Sequence, residues 1–264
     1  LCKRVRFGVC ALAILGLAMP GLLTLLTLPP AVEEGGGFVR MMRRLDYAFN
    51  RYYYFRDTMT GLANAFHYRV LKMSPTPQVA LGRDGWLFYV NPVDGNALHD
   101  VRKSRIDPPE RLALLARKLT TRRDELRRMG TEYVLVLAPN KTSVYPESLP
   151  PALAGYSGVS RLDVLAAYLT RHTDLRLVNG KAALLAAKAS LPYPLYARRH
   201  SAWNAYGAFA GYRALGHVLQ GMYTSLRVKE LSEFQPALDH AIQDLERILG
   251  APGLTPLPEP TLKG

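Results

Sequence analysis

The chain has 264 residues and a mass of 29.4 kDa, enough for one large domain or two small ones with a buried core. Its 48% hydrophobic and 21% charged residues exclude an intrinsically disordered chain, and its 21 Gly and 19 Pro follow no collagen or solenoid repeat. Lys and Arg outnumber Asp and Glu by 34 to 21, giving a net charge of +13. Such a charge favours an acidic partner (nucleic acid, anionic lipid or acidic polysaccharide), although an Arg-rich genome produces it too.

An uncharged apolar run opens the chain. It covers residues 7–28 and follows Lys3, Arg4 and Arg6. As a helix it would be about 33 Å long, enough to cross a hydrocarbon core of about 30 Å. The basic flank predicts a cytoplasmic N-terminus and an exported remainder. We therefore expect a signal anchor over 1–31, in a single-pass protein of the bacterial inner membrane with its main domain in the periplasm. A cleaved signal peptide is the alternative.

A helical lead-in and a hairpin are expected next. Residues 32–77 carry apolar and aromatic side chains at mixed helical spacing. In 78–90, two short apolar runs flank an Asp-Gly turn, which predicts a β-hairpin. The main domain is expected over 78–264. We expect this domain to be incomplete at its C-terminal end, because the Pro-rich stretch 256–264 is typical of a linker.

From residue 107 onward, helices and strands alternate. Asp107 is predicted as an N-cap, with Glu110 closing a capping box, and Gly130 as the end of that helix. The apolar run 133–137 predicts a strand buried on both faces. A second strand is predicted at 175–178, and further helices at 160–172, 181–190, 203–219 and 237–249. This order predicts an α/β fold with a mainly parallel sheet, helices on both faces and ligands at the carboxyl ends of the strands.

The sequence indicates no metal or nucleotide site. The six histidines do not have the spacing of paired ligands, and both cysteines, Cys2 and Cys10, lie in the predicted anchor. No glycine-rich phosphate loop follows a strand, and the arginine pairs within 122–128 are typical of a solvated helix face. We therefore expect no cofactor and no nucleic-acid partner.

Three motifs follow one another along the chain. They are Gly-Arg-Asp-Gly-Trp-Leu-Phe-Tyr at 82–89, Ala-Pro-Asn-Lys-Thr-Ser-Val-Tyr-Pro-Glu at 138–147, and Tyr-Ala-Arg-Arg-His-Ser-Ala-Trp-Asn-Ala-Tyr-Gly-Ala at 196–208. In this order they resemble the AlgX/AlgJ-like family of exported SGNH-hydrolase-like proteins, which includes alginate O-acetyltransferases and the DHHW-type proteins. The resemblance runs from about residue 49 to the end of the chain. It implies an SGNH-hydrolase-like fold.

The same resemblance implies acyl transfer by a Ser-His-Asp triad. The family supplies Asp and His from an Asp-x-His-Trp motif followed by Gly, and Trp203 and Gly207 keep that spacing. His200 then stands at the family's Asp position, and Ala202 stands at its His position. The family's nucleophilic serine, in a Gly-Asp/Thr-Ser-type turn, has no counterpart in this sequence. His200 as a displaced base is the catalytic candidate, and an ordinary loop histidine is the alternative.

Five residues in these motifs are candidate substrate ligands. Asn140 and Lys141 follow a predicted strand and could donate to an oxyanion or a sugar hydroxyl. Arg198 and Arg199 could pair with the carboxylates of an acidic glycan, and Trp203 could stack on a sugar ring. The alternatives are a loop-stabilising Asn, solvated or paired cations, and a Trp that anchors the following helix.

Together these features predict an exported, membrane-anchored O-acetyltransferase-like protein acting on hydroxyls of an exopolysaccharide or cell-wall glycan. Its acetyl donor is expected to be passed on by a membrane acyltransferase, with other secretion-complex proteins as further partners. One alternative is a glycan O-acetylesterase, because transfer and hydrolysis differ only in whether sugar or water takes the acyl group. The residues at 200 and 202 favour another, a non-catalytic member that binds glycan or scaffolds a secretion complex.

Overall fold

The computed structural model describes residues 56–90, 107–156, 158–239, 244–251 and 258–263. The chain divides into two compact units, Leu1–Phe66 and His67–Gly264. The first described element is helix α1, Arg56–Arg69. The domain boundaries expected after residues 31 and 77 stay predictions.

The predicted membrane placement needs correction. The signal anchor expected over 1–31, and the part of the lead-in before residue 56, lie outside the described residues. Among the helices that are described, none combines the length and the apolar character needed to cross a bilayer. The longest, helix α2 at Pro109–Arg128, carries basic side chains along its whole length. This finding contradicts the expected single-pass protein of the inner membrane.

The predicted hairpin is confirmed. Strands β1 (Val79–Leu81) and β2 (Leu87–Tyr89) pair antiparallel, with Ala80 opposite Phe88. The turn between them uses the left-handed backbone region at Asp84 and Gly85, with φ of 51° and 76°. Asp and Gly tolerate that region better than most residues do, so the turn chemistry places the bend correctly.

Helix α2 forms as predicted, but its start differs. Pro108 is the N-cap, without a side-chain cap, and the predicted capping box of Asp107 and Glu110 is wrong. The Asp107 carboxylate instead accepts hydrogen bonds from the Arg161 guanidinium at 2.8–3.1 Å. Asp107 therefore binds a distant arginine, whereas the local sequence predicted that it caps the start of α2. Gly130 follows the helix with a φ of 74°, as expected of a terminating glycine.

A parallel strand pair lies in the middle of the chain. Strand β3 (Val134–Leu137) pairs parallel with β4 (Arg176–Asn179). Helices α3 (Lys141–Val144) and α4 (Arg161–His172) lie between them in the chain, and α5 (Gly180–Lys188) follows β4. The α/β class is thereby confirmed. The predicted burial of β3 on both faces is wrong, because Val136 is 39% exposed.

The other strand pairs are antiparallel. Helix α6 covers Ala205–Gln220, and β5 (Gln235–Asp239) then pairs antiparallel with β6 (Glu259–Lys263). Of the predicted helix 237–249, the first three residues belong to β5 and helix α7 covers Asp244–Leu249, while residues 240–243 lie outside the described part of the chain. Among the described residues, one of three two-stranded sheets is parallel, so a mainly parallel sheet is not found there. Because β5 is largely exposed, it has no alternation of buried and exposed side chains that a sequence pattern could show.

The buried core joins the three sequence motifs. Its main cluster draws aromatic and aliphatic side chains from the hairpin, from α3 and the turn after it, from α5 and from both sides of the third motif: Trp86, Phe88, Val90, Val144, Tyr145, Leu149, Leu184, Leu195, Tyr196, Tyr206 and Ala210. A second cluster packs the hairpin against α7 through Val79, Leu87, Leu245 and Leu249. Burying each such large side chain contributes about 1.5–3 kcal/mol, so the core fixes the motifs relative to one another.

Gly207 is a point of close packing, and its substitution should destabilise the fold. A Cβ at this position would clash with the carbonyl oxygen of Leu195 and lie 3.0 Å from Trp203 Cβ. We expect Gly207→Ala to lower the free energy of unfolding, measured in urea, by about 1–3 kcal/mol. Gly221→Ala is the control, because its Cβ would meet only the Val218 carbonyl oxygen at 3.4 Å. Equal effects of the two substitutions would contradict this interpretation.

Candidate functional site

The third motif forms a loop whose two ends are paired. Tyr196 and Trp203 make an isolated antiparallel bridge, so residues 197–202 leave and rejoin the fold at neighbouring points. We call this segment the 197–202 loop. Helix α6 begins just after it, where the Asn204 side chain caps the helix by accepting a hydrogen bond from Gly207 N at 3.0 Å. The loop that holds His200 and Ala202 is therefore anchored at both ends.

A buried hydrogen-bond chain fixes Trp203. Its indole Nε1 donates to the Tyr196 hydroxyl at 2.7 Å, and that hydroxyl donates to the Pro139 carbonyl at 2.6 Å. The indole ring also lies against Gly211 of α6, where a Cβ would come within 2.6 Å of it. Burial raises the pKa of Tyr196 far above its usual range, so the phenol stays a donor. These contacts support the alternative in which Trp203 anchors the helix.

Lys141 lies inside the fold. Its side chain is 5% exposed, and its Nζ donates to four backbone carbonyl oxygens at 2.7–3.1 Å. Three of the carbonyls belong to the 197–202 loop, at positions 197, 198 and 200, and the fourth is that of Leu87 on β2. The same nitrogen lies 4.7 Å from the ring centre of Trp86 and 5.3 Å from that of Phe88. Both distances are typical of cation–π contacts.

These contacts decide what Lys141 can do. An ammonium has three N–H donors, and the four carbonyls use all of them. Burial lowers the pKa of Lys141 to about 7, and the carboxylates of Glu259 and Asp244 act in the opposite direction. The structure thus directs this lysine towards the backbone of the loop, whereas the sequence suggested that it faces a substrate.

The two arginines of the loop point to different partners. Arg199 Nη1 donates to Glu246 Oε1 of α7 at 2.6 Å, and the two side chains are only 12% and 5% exposed. Arg198 is exposed, with its Nη1 3.4 Å from the Asp84 carbonyl oxygen and its backbone N–H bonded to Glu259. Among the three cations predicted to contact substrate, Arg198 is therefore the one at the surface.

His200 and Ala202 lie close together at the surface of the loop. His200 Nδ1 accepts the backbone N–H of Ala202 at 2.9 Å and lies 3.6 Å from Asp244 Oδ1. In the neutral imidazole this bond places the proton on Nε2, which can then donate a proton but cannot accept one. A general base that acts through Nε2 needs the opposite tautomer. Ala202, which the sequence predicts to stand at the family's His position, has no group that transfers protons.

Asp244 is a residue that sequence reasoning missed. Its Oδ1 accepts the backbone N–H of Ser201 at 2.9 Å, and its Oδ2 accepts the Ser201 hydroxyl. Glu246 and Glu259, described above, hold the loop from the same part of the chain. These three acids follow the loop by more than forty residues and lie in no motif, so nothing local in the sequence marks them.

Asn140 contributes to a different concavity. It is exposed at the end of β3 and lines a groove of about 490 Å³ between α2 and α4. The groove walls are mainly apolar, from Leu112, Leu115, Val136, Leu162 and Leu165, with Asp107, Arg111, Arg161 and Lys118 also contributing. No residue of the 197–202 loop lines it. The five predicted substrate ligands are therefore not brought together on one surface.

The α/β arrangement of helices and small sheets fits an SGNH-hydrolase-like domain, and the family comparison shows that class. The sequence model of the family described as SGNH hydrolase-like domain, acetyltransferase AlgX, matches residues 79–261. The chain belongs to this family, which confirms the resemblance stated above. No curated protein matches the chain.

Solved structures similar to the chain carry related names. The O-acetyltransferase domain of Pseudomonas putida AlgJ is 24% identical, with a TM-score of 0.46 over 71% of this chain and 64% of that one. Pseudomonas aeruginosa AlgX is 18% identical, with a TM-score of 0.47 over 76% and 46%. A DHHW family protein from Eubacterium siraeum is 19% identical, with a TM-score of 0.40 over 56% and 46%. The chain thus spans less than two thirds of each of these structures.

The Tyr196 hydroxyl should contribute measurably to stability. Tyr196→Phe leaves the buried Pro139 carbonyl and Trp203 indole N–H without their partner. We expect the free energy of unfolding in urea to fall by about 1–3 kcal/mol. Tyr193→Phe is the control, because Tyr193 is 43% exposed. A Tyr196→Phe variant as stable as the control would contradict the role of this chain of hydrogen bonds.

Lys141 should make stability depend on pH with a definite sign. Its pKa is about 7 in the fold, against 10.5 for an ordinary lysine, so between these values the unfolded chain binds more protons. The contribution of Lys141 to the free energy of unfolding is therefore greatest above its unfolded pKa of 10.5. It decreases as the pH falls from there to the folded pKa of about 7. We expect the unfolding free energy of the wild type, minus that of Lys141→Met, to increase from about pH 6 to about pH 9. A constant or falling difference in urea titrations would contradict this expectation.

Proposed function

We propose that the chain is an O-acetyltransferase-like protein that serves acetylation of hydroxyls on an exopolysaccharide or cell-wall glycan. Membership of the acetyltransferase AlgX family supports glycan acetylation in general. The observation that carries the finer proposal is the anchored 197–202 loop. The loop lies between β2 and α7, and the Trp203 and Gly207 that follow it keep the sequence spacing of the family's Asp-x-His-Trp motif.

Acetyl transfer sets clear chemical requirements. The sugar hydroxyl oxygen attacks the acetyl carbonyl carbon, the bond to the donor breaks, and a base takes the hydroxyl proton. We propose that the donor is an acetyl ester or thioester passed on by a membrane acyltransferase. Arg198, exposed in the loop, and Asn140, at the end of β3, are the candidate contacts for substrate. His200, whose Nδ1 lies 3.6 Å from Asp244 Oδ1, is the candidate for proton transfer.

A second candidate function follows from Ala202 and the tautomer of His200. With no proton acceptor at position 202 and Nδ1 of His200 occupied by a backbone N–H, the loop lacks a poised base. A non-catalytic family member that binds glycan or scaffolds a secretion complex needs no base. Such a protein would retain the anchored loop but would not catalyse acetyl transfer.

Restoring the family residues separates the two candidates. We expect His200→Asp combined with Ala202→His to raise acetyl transfer by about tenfold or more, because a positioned base contributes about 10²–10⁴-fold. The assay is turnover of p-nitrophenyl acetate by the full chain, with and without acceptor oligosaccharides, and mass spectrometry of the sugar product. His200→Asn with Ala202→Gln is the matched control, since its amides have a similar shape but no base.

Each outcome assigns a function. Acetylated oligosaccharide from the restored variant, and none from the matched control, supports the transferase proposal. Free acetate as the sole product, whether or not acceptor is present, supports an O-acetylesterase. Binding of oligosaccharide by the wild type without any gain in the restored variant supports the non-catalytic member.

A further inference from the structure

Lys141 stands out among the buried polar groups because its partners are backbone carbonyls from two separate segments. Its Nζ reaches the carbonyl oxygens of Ala197 at 2.7 Å, Arg198 at 2.8 Å and His200 at 3.1 Å. The fourth carbonyl, of Leu87 on β2, lies at 2.9 Å. A buried carbonyl without a donor is costly, so the path of this backbone depends on the lysine.

The 197–202 loop is held from two sides. On one side is Lys141, reinforced by a backbone bond from Leu87 N to the Arg198 carbonyl at 2.8 Å. On the other side, α7 bonds the loop through Leu245 N to the Arg199 carbonyl at 3.2 Å and through the Asp244 carboxylate to Ser201. From Arg198 to Ser201, successive residues therefore bond to alternate sides. Without Lys141, the wall formed by β2 keeps a single backbone hydrogen bond to the loop.

We propose that Lys141 is the positioning residue of the 197–202 loop, fixing the places of residues 200 and 202 through its bonds to three loop carbonyls. Position 200 is bonded through its own carbonyl, and position 202 follows from the His200 to Ala202 contact. Lys141 touches neither side chain and acts only through the backbone. The bearing of this role on acetyl transfer rests on the proposed function, whereas the ordering of the loop does not.

Lys188 provides a matched control. Its Nζ also donates to a buried backbone carbonyl, that of Val144 at 2.7 Å, and lies 4.2 Å from the ring centre of Tyr145. Its carboxylate partner is Glu147 at 2.6 Å. Lys188 therefore combines a carbonyl bond and an aromatic contact as Lys141 does, but none of these partners belongs to the 197–202 loop.

Hydrogen exchange tests the proposal without any substrate. In Lys141→Met, we expect the exchange rates of the 197–202 loop amides and of Leu87, each divided by the rate at α4, to rise about tenfold or more. In Lys188→Met, we expect these ratios to keep their wild-type values. Unchanged ratios in Lys141→Met, or an equal rise in both variants, would overturn the proposal.

A measurement on the wild type covers the case in which Lys141→Met does not fold. Reductive methylation reaches the Lys141 amine only when its carbonyl partners release it. We expect its labelling rate to follow the exchange rate of the 197–202 loop amides, faster than global unfolding measured at α4. Labelling of Lys141 only at the rate of global unfolding would show that the loop and the lysine do not open together and would overturn the proposal.

The link to acetyl transfer is tested in the restored background. Adding Lys141→Met to the His200→Asp, Ala202→His variant should remove its gain in acetyl transfer, whereas adding Lys188→Met should preserve it. A gain that survives Lys141→Met would overturn the positioning role in the reaction. If the restored variant shows no gain at all, the proposed function fails, and hydrogen exchange still decides on Lys141 independently.

Discussion

The burial of one lysine among backbone carbonyls organises the described part of the molecule. Removing an ammonium from water is unfavourable unless hydrogen bonds replace the lost solvation, and Lys141 finds four acceptors and two aromatic rings. Because the acceptors belong to the first and third motifs and the lysine belongs to the second, one group joins all three. The three motifs, although separated along the chain, thus meet at a single site in the fold.

Around this site, charged side chains bind partners within the protein. Arg199 is neutralised by Glu246 in a nearly buried pair, and Ser201 is tied to Asp244. A buried ion pair is weak evidence for stability, because desolvation offsets much of the attraction, but it specifies one arrangement of the loop against α7. The net charge of +13 therefore says little about this face, where acidic side chains from the end of the chain surround the loop.

Features determined by adjacent residues were predicted correctly from the sequence, whereas features determined by distant contacts were not. The Asp-Gly turn, the glycine after α2 and the family motifs are written in a few adjacent residues, and these predictions are confirmed. The predicted cap of α2 is wrong because the Arg161 guanidinium, far along the chain, binds the Asp107 carboxylate. Strand β5, which pairs with β6, was not predicted. The sequence identified Lys141 as a candidate site residue. Its bonds to the 197–202 loop, however, are made to backbone carbonyls, which every residue possesses. No side-chain pattern reveals which carbonyls converge.

The long reach of the Lys141 bonds has a kinetic consequence. They join residues separated by 54 to 59 positions, so the loop between β2 and α7 closes only after distant segments have met. Contacts of such separation carry a large loop-closure entropy and slow folding, and those absent from the transition state act mainly on the unfolding rate. The Lys141 bonds therefore place a larger entropic demand on folding than the pairing of β1 with β2, whose partners are at most ten positions apart.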